Sequence, residues 1–129
     1  MKSKLNSTKP NSKTVLVIDD EVNICEFFID LFTVYGVNVD VAYDGDSGLK
    51  KALNNPYSVI FLDVKLGRDD GIEVLKKIMD HNPKIHVIMI SAYLKEDVIE
   101  QAIRYGADGY LNKPLTVRDV ISMVFRFIR

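Results

Sequence analysis

Four short polar stretches of the sequence carry side chains suited to phosphate and metal chemistry. They are Asp19-Asp20-Glu21, Asp63, Ser91-Ala92 and Lys113-Pro114. Carboxylates that crowd together repel one another, and the pKa of at least one rises unless a cation compensates. If the fold gathers the three aspartates, a divalent ion is therefore expected beside them. Oxygen ligands with no cysteine or histidine nearby favour magnesium or manganese over zinc.

Each polar stretch stands at the end of an apolar run that has the length of a strand. Such runs, mostly rich in β-branched residues, span 15–18, 37–42, 59–62, 85–90 and 109–111. Segments with helical periodicity follow them at 23–35, 46–53, 72–80, 96–105 and 117–128. In the first of these, apolar residues from Ile24 to Tyr35 recur at the spacing of one buried helix face. Strand and helix thus alternate five times.

Local signals and strand composition together predict the architecture. Gly36 and Gly106 are placed to end helices, and Thr116 with Asp119 resembles a capping box. Several strands are apolar almost throughout, as in a parallel sheet that is covered on both faces. With right-handed crossovers this predicts a doubly wound α/β sandwich. Ligands in such sheets bind beyond the carboxyl ends of the strands, so we expect the polar stretches to meet there.

Composition limits the number of domains and the classes of partner. The chain has 129 residues, 47% of them hydrophobic, which is enough for one compact core. Seventeen basic and 18 acidic residues give a net charge of -1, so we expect neither direct nucleic-acid binding nor membrane association. The lone Cys25 and the lack of a signal or membrane-length apolar run predict a soluble cytoplasmic protein. We expect a disordered leader or cloning remnant at 1–13 and one domain at 14–129.

The pattern from about Val15 to Ile128 resembles the receiver (phosphoacceptor) domain of two-component response regulators. The acidic pair, the aspartate, Ser-Ala and Lys-Pro occur after the first, third, fourth and fifth strands, in the order of that family. The stretch from Asp63 to Gly71 also matches, with a leucine three residues past the aspartate and Asp-Gly opening the next helix. The resemblance implies a flavodoxin-like (βα)5 fold whose five-stranded parallel sheet has the order 2-1-3-4-5.

The resemblance also implies roles for the acidic and basic residues. Asp63 would be the phosphorylated nucleophile, because an ionised carboxylate needs no general base. Asp19 and Asp20 would hold Mg²⁺ together with Asp63 and the backbone carbonyl of Lys65. Lys113 would pair with Asp63 before transfer and with the phosphoryl oxygens afterwards.

The remaining expected site residues link this chemistry to a surface. Ser91 would donate a hydrogen bond to the phosphoryl group, with small Ala92 leaving room beside it. Ser91 and Tyr110 would form a switch, in which the ring of Tyr110 turns inward once Ser91 is drawn toward the phosphate. The Lys113-Pro114 peptide bond is expected to be cis, although cis is the minority form of X-Pro bonds generally.

Three positions depart from the usual pattern of the family. Gly67 stands where proline is common, which predicts a more mobile loop after the phosphoacceptor strand. Lys65 and Tyr93 lie two residues beyond Asp63 and Ser91, at positions that border the phosphoryl group. A cationic Lys65 and a bulky Tyr93 predict hindered water attack and a longer phosphorylated lifetime.

The implied partner is a sensor histidine kinase or a histidine phosphotransfer protein, docking on the first helix and the loop after the fifth strand. The partner would contact outward residues there, such as Val22, Cys25 and Leu115. The face of the fourth helix, fifth strand and fifth helix is the expected site of homodimer or effector contact. No effector follows the fifth helix, so we expect either a stand-alone receiver or one excised from a longer regulator, which promotes its own phosphorylation and dephosphorylation but is not otherwise an enzyme.

Other interpretations predict different residues. A phosphatase of the haloacid-dehalogenase type would have a second aspartate where Lys65 stands, and a flavin binder would need a Ser, Thr and Gly-rich cradle in place of the acidic stretch at 19–21. Taken alone, Asp20 could cap the first helix, and His81 and His86 are typical surface residues. A receiver-like interaction module that works without phosphorylation remains the alternative.

Overall fold

A computed structural model describes residues 13–93 and 95–128 of the chain. The leader expected at 1–13 therefore lies outside the described residues, apart from Lys13. In the described ranges, no helix is long and apolar enough to cross a membrane.

Five parallel strands form one sheet, and we number them along the chain. They are β1 (Thr14–Ile18), β2 (Asn38–Ala42), β3 (Val59–Asp63), β4 (Val87–Ser91) and β5 (Gly109–Asn112). Their order across the sheet is β2-β1-β3-β4-β5. The predicted doubly wound order is confirmed, and the strand order reverses between β1 and β3.

Five helices connect and follow these strands. They are α1 (Val22–Val34), α2 (Gly45–Asn54), α3 (Gly71–His81), α4 (Glu96–Arg104) and α5 (Val117–Val124). The positive φ angles of Gly36 (71°) and Gly106 (105°) place both in the left-handed region just after α1 and α4, where glycine ends helices at little steric cost. Both were predicted to be helix ends.

The sheet is covered on both faces because each strand sends alternate residues to either side. On one face, side chains such as Leu16, Ile60 and Met89 pack against α2, α3 and α4. On the other, Phe61 meets Phe28 of α1 with ring centroids 4.6 Å apart, and α1 and α5 cover the rest. The apolar strands that the sequence showed are therefore those of a central, fully buried sheet.

Three details differ from the sequence-based expectations. A two-rung antiparallel ladder pairs Lys65–Leu66 with Asp69–Asp70 just after β3, which we call the 65–70 hairpin. Helix α5 ends at Val124 instead of 128, because the N–H of Phe127 turns back to the carbonyl of Val124 and tightens the chain. The fourth strand starts later than predicted, since Ile85 belongs to a turn in which its N–H donates to the Asn82 carbonyl.

The start of α5 confirms one half of the predicted capping box. The Thr116 hydroxyl accepts a hydrogen bond of 3.1 Å from the N–H of Asp119. Because the first N–H groups of a helix have no partner within it, we expect Thr116→Ala to lower the free energy of unfolding by about 1 kcal/mol. Urea denaturation measures the loss, with Thr116→Ser as the control that keeps the hydroxyl. Equal stability of the alanine and serine variants would contradict the capping role.

Candidate functional site

The predicted site residues meet at the carboxyl edge of the sheet. Asp63 and Ser91 are the last residues of β3 and β4, while Asp19 and Lys113 come directly after β1 and β5. Backbone hydrogen bonds continue the ladders past the strand ends, from Asp19 N–H to the Ala42 carbonyl (3.0 Å) and from Lys113 N–H to the Ser91 carbonyl (2.9 Å). The sheet itself therefore positions the site.

Three carboxylates and one ammonium lie together in this edge. One oxygen each of Asp19, Asp20 and Asp63 lies within 4.8 Å of the others, so the group could hold a metal ion. Asp19 is fully buried and Asp63 is 4% exposed, whereas Asp20 is exposed. Lys113 Nζ lies 3.1 Å from Asp19 Oδ2 and donates a 3.2 Å hydrogen bond to Asp63 Oδ2. The prediction that these four side chains lie close together is confirmed.

Glu21 also enters this cluster, a contact that the sequence did not reveal. Lys113 Nζ donates a short hydrogen bond to Glu21 Oε1, its closest contact in the cluster. The backbone N–H of Glu21 donates to Asp19 Oδ1 at 2.8 Å. The only signal in the sequence was that Glu21 directly follows the acidic pair. Glu21, and not Asp20, occupies the N-cap position of α1, so the capping interpretation of Asp20 is wrong.

Burial dominates the electrostatics of the two inner carboxylates. Burial raises the pKa of Asp19 to about 6; the N–H of Glu21 opposes this shift and the charge of Asp63 adds to it. Burial likewise raises the pKa of Asp63, although the charge of Lys113 opposes the shift. Repulsion between carboxylates, which the sequence suggested, is thus the smaller cause. Even with Lys113 close by, both groups are held in a site that disfavours their negative charge, which a further cation would favour.

For the pKa of Lys113, the neighbouring acidic groups outweigh burial. Burial lowers its pKa, but the hydrogen bond to Glu21 and the charges of Asp19 and Asp63 outweigh burial, so the pKa is raised above its ordinary value. The ammonium is therefore charged throughout the physiological range. The peptide bond between Lys113 and Pro114 is cis, as predicted.

An open cleft of about 810 Å³ lies above the cluster. The residues that line it include Asp63, Lys65, Ser91, Tyr93 and Lys113, and also Lys95, which sequence reasoning did not single out. The Ser91 hydroxyl accepts from the Tyr93 N–H (3.1 Å) and donates to the Tyr93 carbonyl (3.2 Å). Tyr93, one of the residues that line the cleft, is 81% exposed, so this part of the lining faces solvent.

The loop after β3 forms the wall of the cleft beside Asp20. The N–H of Lys65 donates to Asp63 Oδ1 at 3.3 Å. Gly67, at φ 59°, turns the 65–70 hairpin so that its backbone passes near Asp20. Asp69 Oδ2 accepts a 2.9 Å hydrogen bond from the N–H of Gly45 and joins the hairpin to the start of α2. The greater mobility expected from Gly67 stays a prediction.

Tyr110 lies apart from this cleft. Its side chain is 41% exposed on the edge strand β5 and borders a groove with Met123 and Arg126 of the α5 region.

Cys25 is 1% exposed, and its thiol donates to the Asp19 carbonyl at 3.5 Å. The expectation that Cys25 points outward is wrong, because it lies on the face of α1 that packs on the sheet.

The sequence matches the family described as response regulator receiver domain over residues 15–125. The chain belongs to this family. It is therefore a receiver domain of two-component response regulators. The response regulator ArlR of Staphylococcus aureus (strain Mu50) is 33% identical over 117 residues, which cover 89% of this chain. The receiver domain spans only about half of the ArlR chain, 52% of its length.

Two solved structures show related receiver domains with ligands. The complex from Borrelia burgdorferi described as CheX-CheY-BeF3-Mg²⁺ is 32% identical, with a TM-score of 0.83, and the match covers 91% of this chain and 90% of that one. A response regulator of Burkholderia pseudomallei with a phosphorylated aspartic acid, calcium ion and citrate is 27% identical, with a TM-score of 0.81, covering 92% of this chain and 67% of that one. Both support the identification of this fold as a receiver domain.

Proposed function

We propose that this receiver domain accepts a phosphoryl group on Asp63 in a reaction that requires Mg²⁺. The observation that carries the proposal is the placement of one nearly buried carboxylate, Asp63, between a lysine ammonium and two further aspartates at the floor of an open cleft. Related structures that contain a phosphorylated aspartate with calcium, or a beryllofluoride and magnesium complex, support it.

The residues present fit a hard divalent cation. Asp19 Oδ2 is buried and makes no well-aligned hydrogen bond, although Lys113 lies nearby. A buried carboxylate oxygen without a hydrogen-bond donor is costly, and a cation bound there would offset that cost. The donors are all oxygens, which favours magnesium, with manganese as a substitute. We assign Asp19, Asp20, Asp63 and the backbone carbonyl of Lys65 as the ligands.

The chemistry then follows from the side chains around Asp63. A carboxylate oxygen of Asp63 attacks the phosphorus atom, an O–P bond forms, and the bond from phosphorus to the donor breaks with its electron pair leaving on the donor. Lys113 pairs with the phosphoryl oxygens, and Ser91 donates its hydroxyl hydrogen to them. The bound metal ion supplies charge neutralisation on the transferring group. Asp63 needs no general base, since bound cations favour its ionised form.

Ser91 and Tyr110 form the proposed link from the site to the surface. In the structure the Ser91 hydroxyl is held by the Tyr93 backbone, and Tyr110 is partly exposed on β5. Drawing the hydroxyl toward a phosphoryl oxygen breaks its bond with the Tyr93 carbonyl and opens space for the Tyr110 ring. The surface of α4, β5 and α5 then changes shape and contacts an effector or a second copy of the chain.

We assign the phosphodonor to a sensor histidine kinase or a histidine phosphotransfer protein in the cytoplasm. Val22, 53% exposed, directly follows Glu21, and the partly exposed Leu115 comes two residues after Lys113, so these two side chains, without Cys25, would contact the donor protein. The domain is a signalling module that promotes its own phosphorylation and dephosphorylation.

Incubation with acetyl phosphate tests this function directly. The intact protein is expected to gain one phosphoryl group in the presence of Mg²⁺, as seen by mass spectrometry, and to gain none when EDTA removes the metal. Labelling that persists in EDTA would contradict the metal requirement. A chain that is never labelled by acetyl phosphate or by a phosphorylated histidine protein would instead be the phosphorylation-independent interaction module.

The exposed ring of Tyr93 predicts a slow loss of the phosphoryl group. Tyr93 lines the same cleft as Asp63 and Lys65, and we propose that its ring obstructs water that approaches Asp63. We expect Tyr93→Ala to speed dephosphorylation up to about fivefold, which is about 1 kcal/mol of activation free energy. The decay of the labelled protein measures it, with the exposed Tyr43→Ala as a control outside the cleft. An unchanged or slower decay of Tyr93→Ala would exclude this role.

A further inference from the structure

Lys113 contacts three carboxylates, which differ in whether they could also bind a metal ion. Asp19 Oδ2 and Asp63 Oδ2 lie 3.1 and 3.2 Å from the ammonium, and both residues belong to the group that could hold a metal ion. Glu21 makes the closest contact and is not a member of that group. A bound cation would therefore compete with Lys113 for Asp19 and Asp63, whereas the contact between Lys113 and Glu21 would remain.

The position of Glu21 in α1 supports a role for its side chain outside the helix. Glu21 is the N-cap residue, where Ser, Thr, Asp or Asn usually accepts a hydrogen bond from the first turn. Its side chain makes no such bond, although its backbone carbonyl accepts from Ile24 and Cys25. Its backbone is held on both sides, since its N–H also donates to Asp19. A capping residue would stabilise α1 better, so the glutamate is placed for another contact.

We propose that Glu21 is the positioning residue for Lys113 and keeps its ammonium beside Asp63 while the metal and the phosphoryl group occupy the site. An ammonium has three N–H donors. One stays on Glu21, and the ammonium hydrogens that face Asp19 and Asp63 become available to the phosphoryl oxygens. Without Glu21, the divalent charge would repel Lys113 toward solvent. This inference rests on the proposed function and assigns to Glu21 a role in the same site.

Removing the charge of Glu21 could either weaken or strengthen the binding of a phosphoryl mimic. The direction of the change distinguishes positioning of Lys113 from simple electrostatics. Removing a negative charge near the cleft should by itself strengthen the binding of an anion. Loss of a positioned Lys113 should weaken it, because the ammonium must then be ordered on binding. We expect Glu21→Gln to weaken beryllofluoride binding about three- to fivefold at saturating Mg²⁺, the range of a partly exposed ion pair.

Fluorine NMR titration of the full chain with beryllofluoride measures this affinity. Glu26→Gln removes the same charge from an exposed position of α1 outside the site and should bind as wild type does. Glu21→Asp keeps the charge but shortens the reach and should be weakened like Glu21→Gln. Unchanged or tighter binding by Glu21→Gln, or full affinity of Glu21→Asp, overturns the inference.

A second readout reports on Lys113 itself. In wild type the Lys113 side chain is only 12% exposed and its ammonium is bonded to Glu21, so its NMR signal should be protected from hydrogen exchange with water. The signal should be lost in Glu21→Gln and kept in Glu26→Gln, and its survival in Glu21→Gln would overturn the inference. If wild type itself binds no beryllofluoride with Mg²⁺, the proposed phosphoacceptor function fails, which is a different result from unchanged binding by Glu21→Gln.

Discussion

Replacing Asp63 by asparagine is expected to abolish phosphoryl labelling by acetyl phosphate and Mg²⁺. An amide oxygen has no negative charge to attack phosphorus, so the rate should fall at least about a thousandfold, on the scale that removal of a nucleophile produces in covalent catalysis. Mass spectrometry of the intact protein measures the labelling. The substitution is nearly isosteric, so the 3.2 Å contact with Lys113 can be kept by the amide oxygen.

Asp63→Asn is also expected to change the stability of the fold, which is measured separately from labelling. Because burial raises the pKa of Asp63 in the folded state, the ionised carboxylate destabilises the metal-free fold above that pKa. This cost disappears as the pH falls and Asp63 becomes protonated. Asp63→Asn should therefore raise the urea midpoint of the metal-free protein at pH 8, and the difference should shrink toward pH 4. Labelling of Asp63→Asn at the wild-type rate would place the acceptor on another residue.

Glu26→Gln is a suitable control for that experiment. Glu26 is an exposed acid on α1 and has no place in the cleft. Its loss changes the net charge by the same amount as Asp63→Asn, without touching the buried cluster. We expect normal labelling and an unchanged urea midpoint. A loss of labelling in Glu26→Gln as well would mean that the overall charge, and not the nucleophile at 63, limits the reaction.

The elements of the fold were predictable because their signals are local. Apolar runs of strand length, such as the one ending at Asp63, and the helical spacing of Phe28 and Phe32 are visible within a few residues. The sheet order came from the resemblance to a family. Once the strands are parallel, their carboxyl ends share one edge, and the convergence of Asp19, Asp63 and Lys113 follows.

The contacts that sequence reasoning missed depend on geometry between distant residues. Glu21 and Lys113 are 92 positions apart, and nothing in the local pattern relates them. The burial of Cys25 depends on the rotation of α1 about its axis, which places Cys25 with Phe28 and Phe32 on the inner face. The 65–70 hairpin has strands of only two residues, too short for an alternating pattern to be recognised.

Gly71 connects the stability of the fold most directly to Asp63, the proposed phosphoacceptor. It is the first residue of α3, and its N–H donates a 2.7 Å hydrogen bond to the Val64 carbonyl. A Cβ atom at this position would lie 2.0 Å from the backbone oxygen of Asp63 and 2.8 Å from Val64 Cα. Both neighbours are backbone atoms, so no side-chain rotation can relieve the overlap. The close approach of α3 to the end of β3 thus requires glycine.

We therefore expect Gly71→Ala to lower the free energy of unfolding by about 3 kcal/mol, at the upper end of the usual cost of overpacking. Urea denaturation measures it, and Gly36→Ala is the control, since that glycine has φ 71° but no atom within 4 Å of an added Cβ. The control should lose only about 1 kcal/mol from backbone strain. Because relief of the clash must move Asp63 or the 65–70 hairpin, labelling by acetyl phosphate should also slow in Gly71→Ala and stay normal in Gly36→Ala. If both variants lose the same stability and label normally, the backbone contact between Gly71 and Asp63 does not position the acceptor.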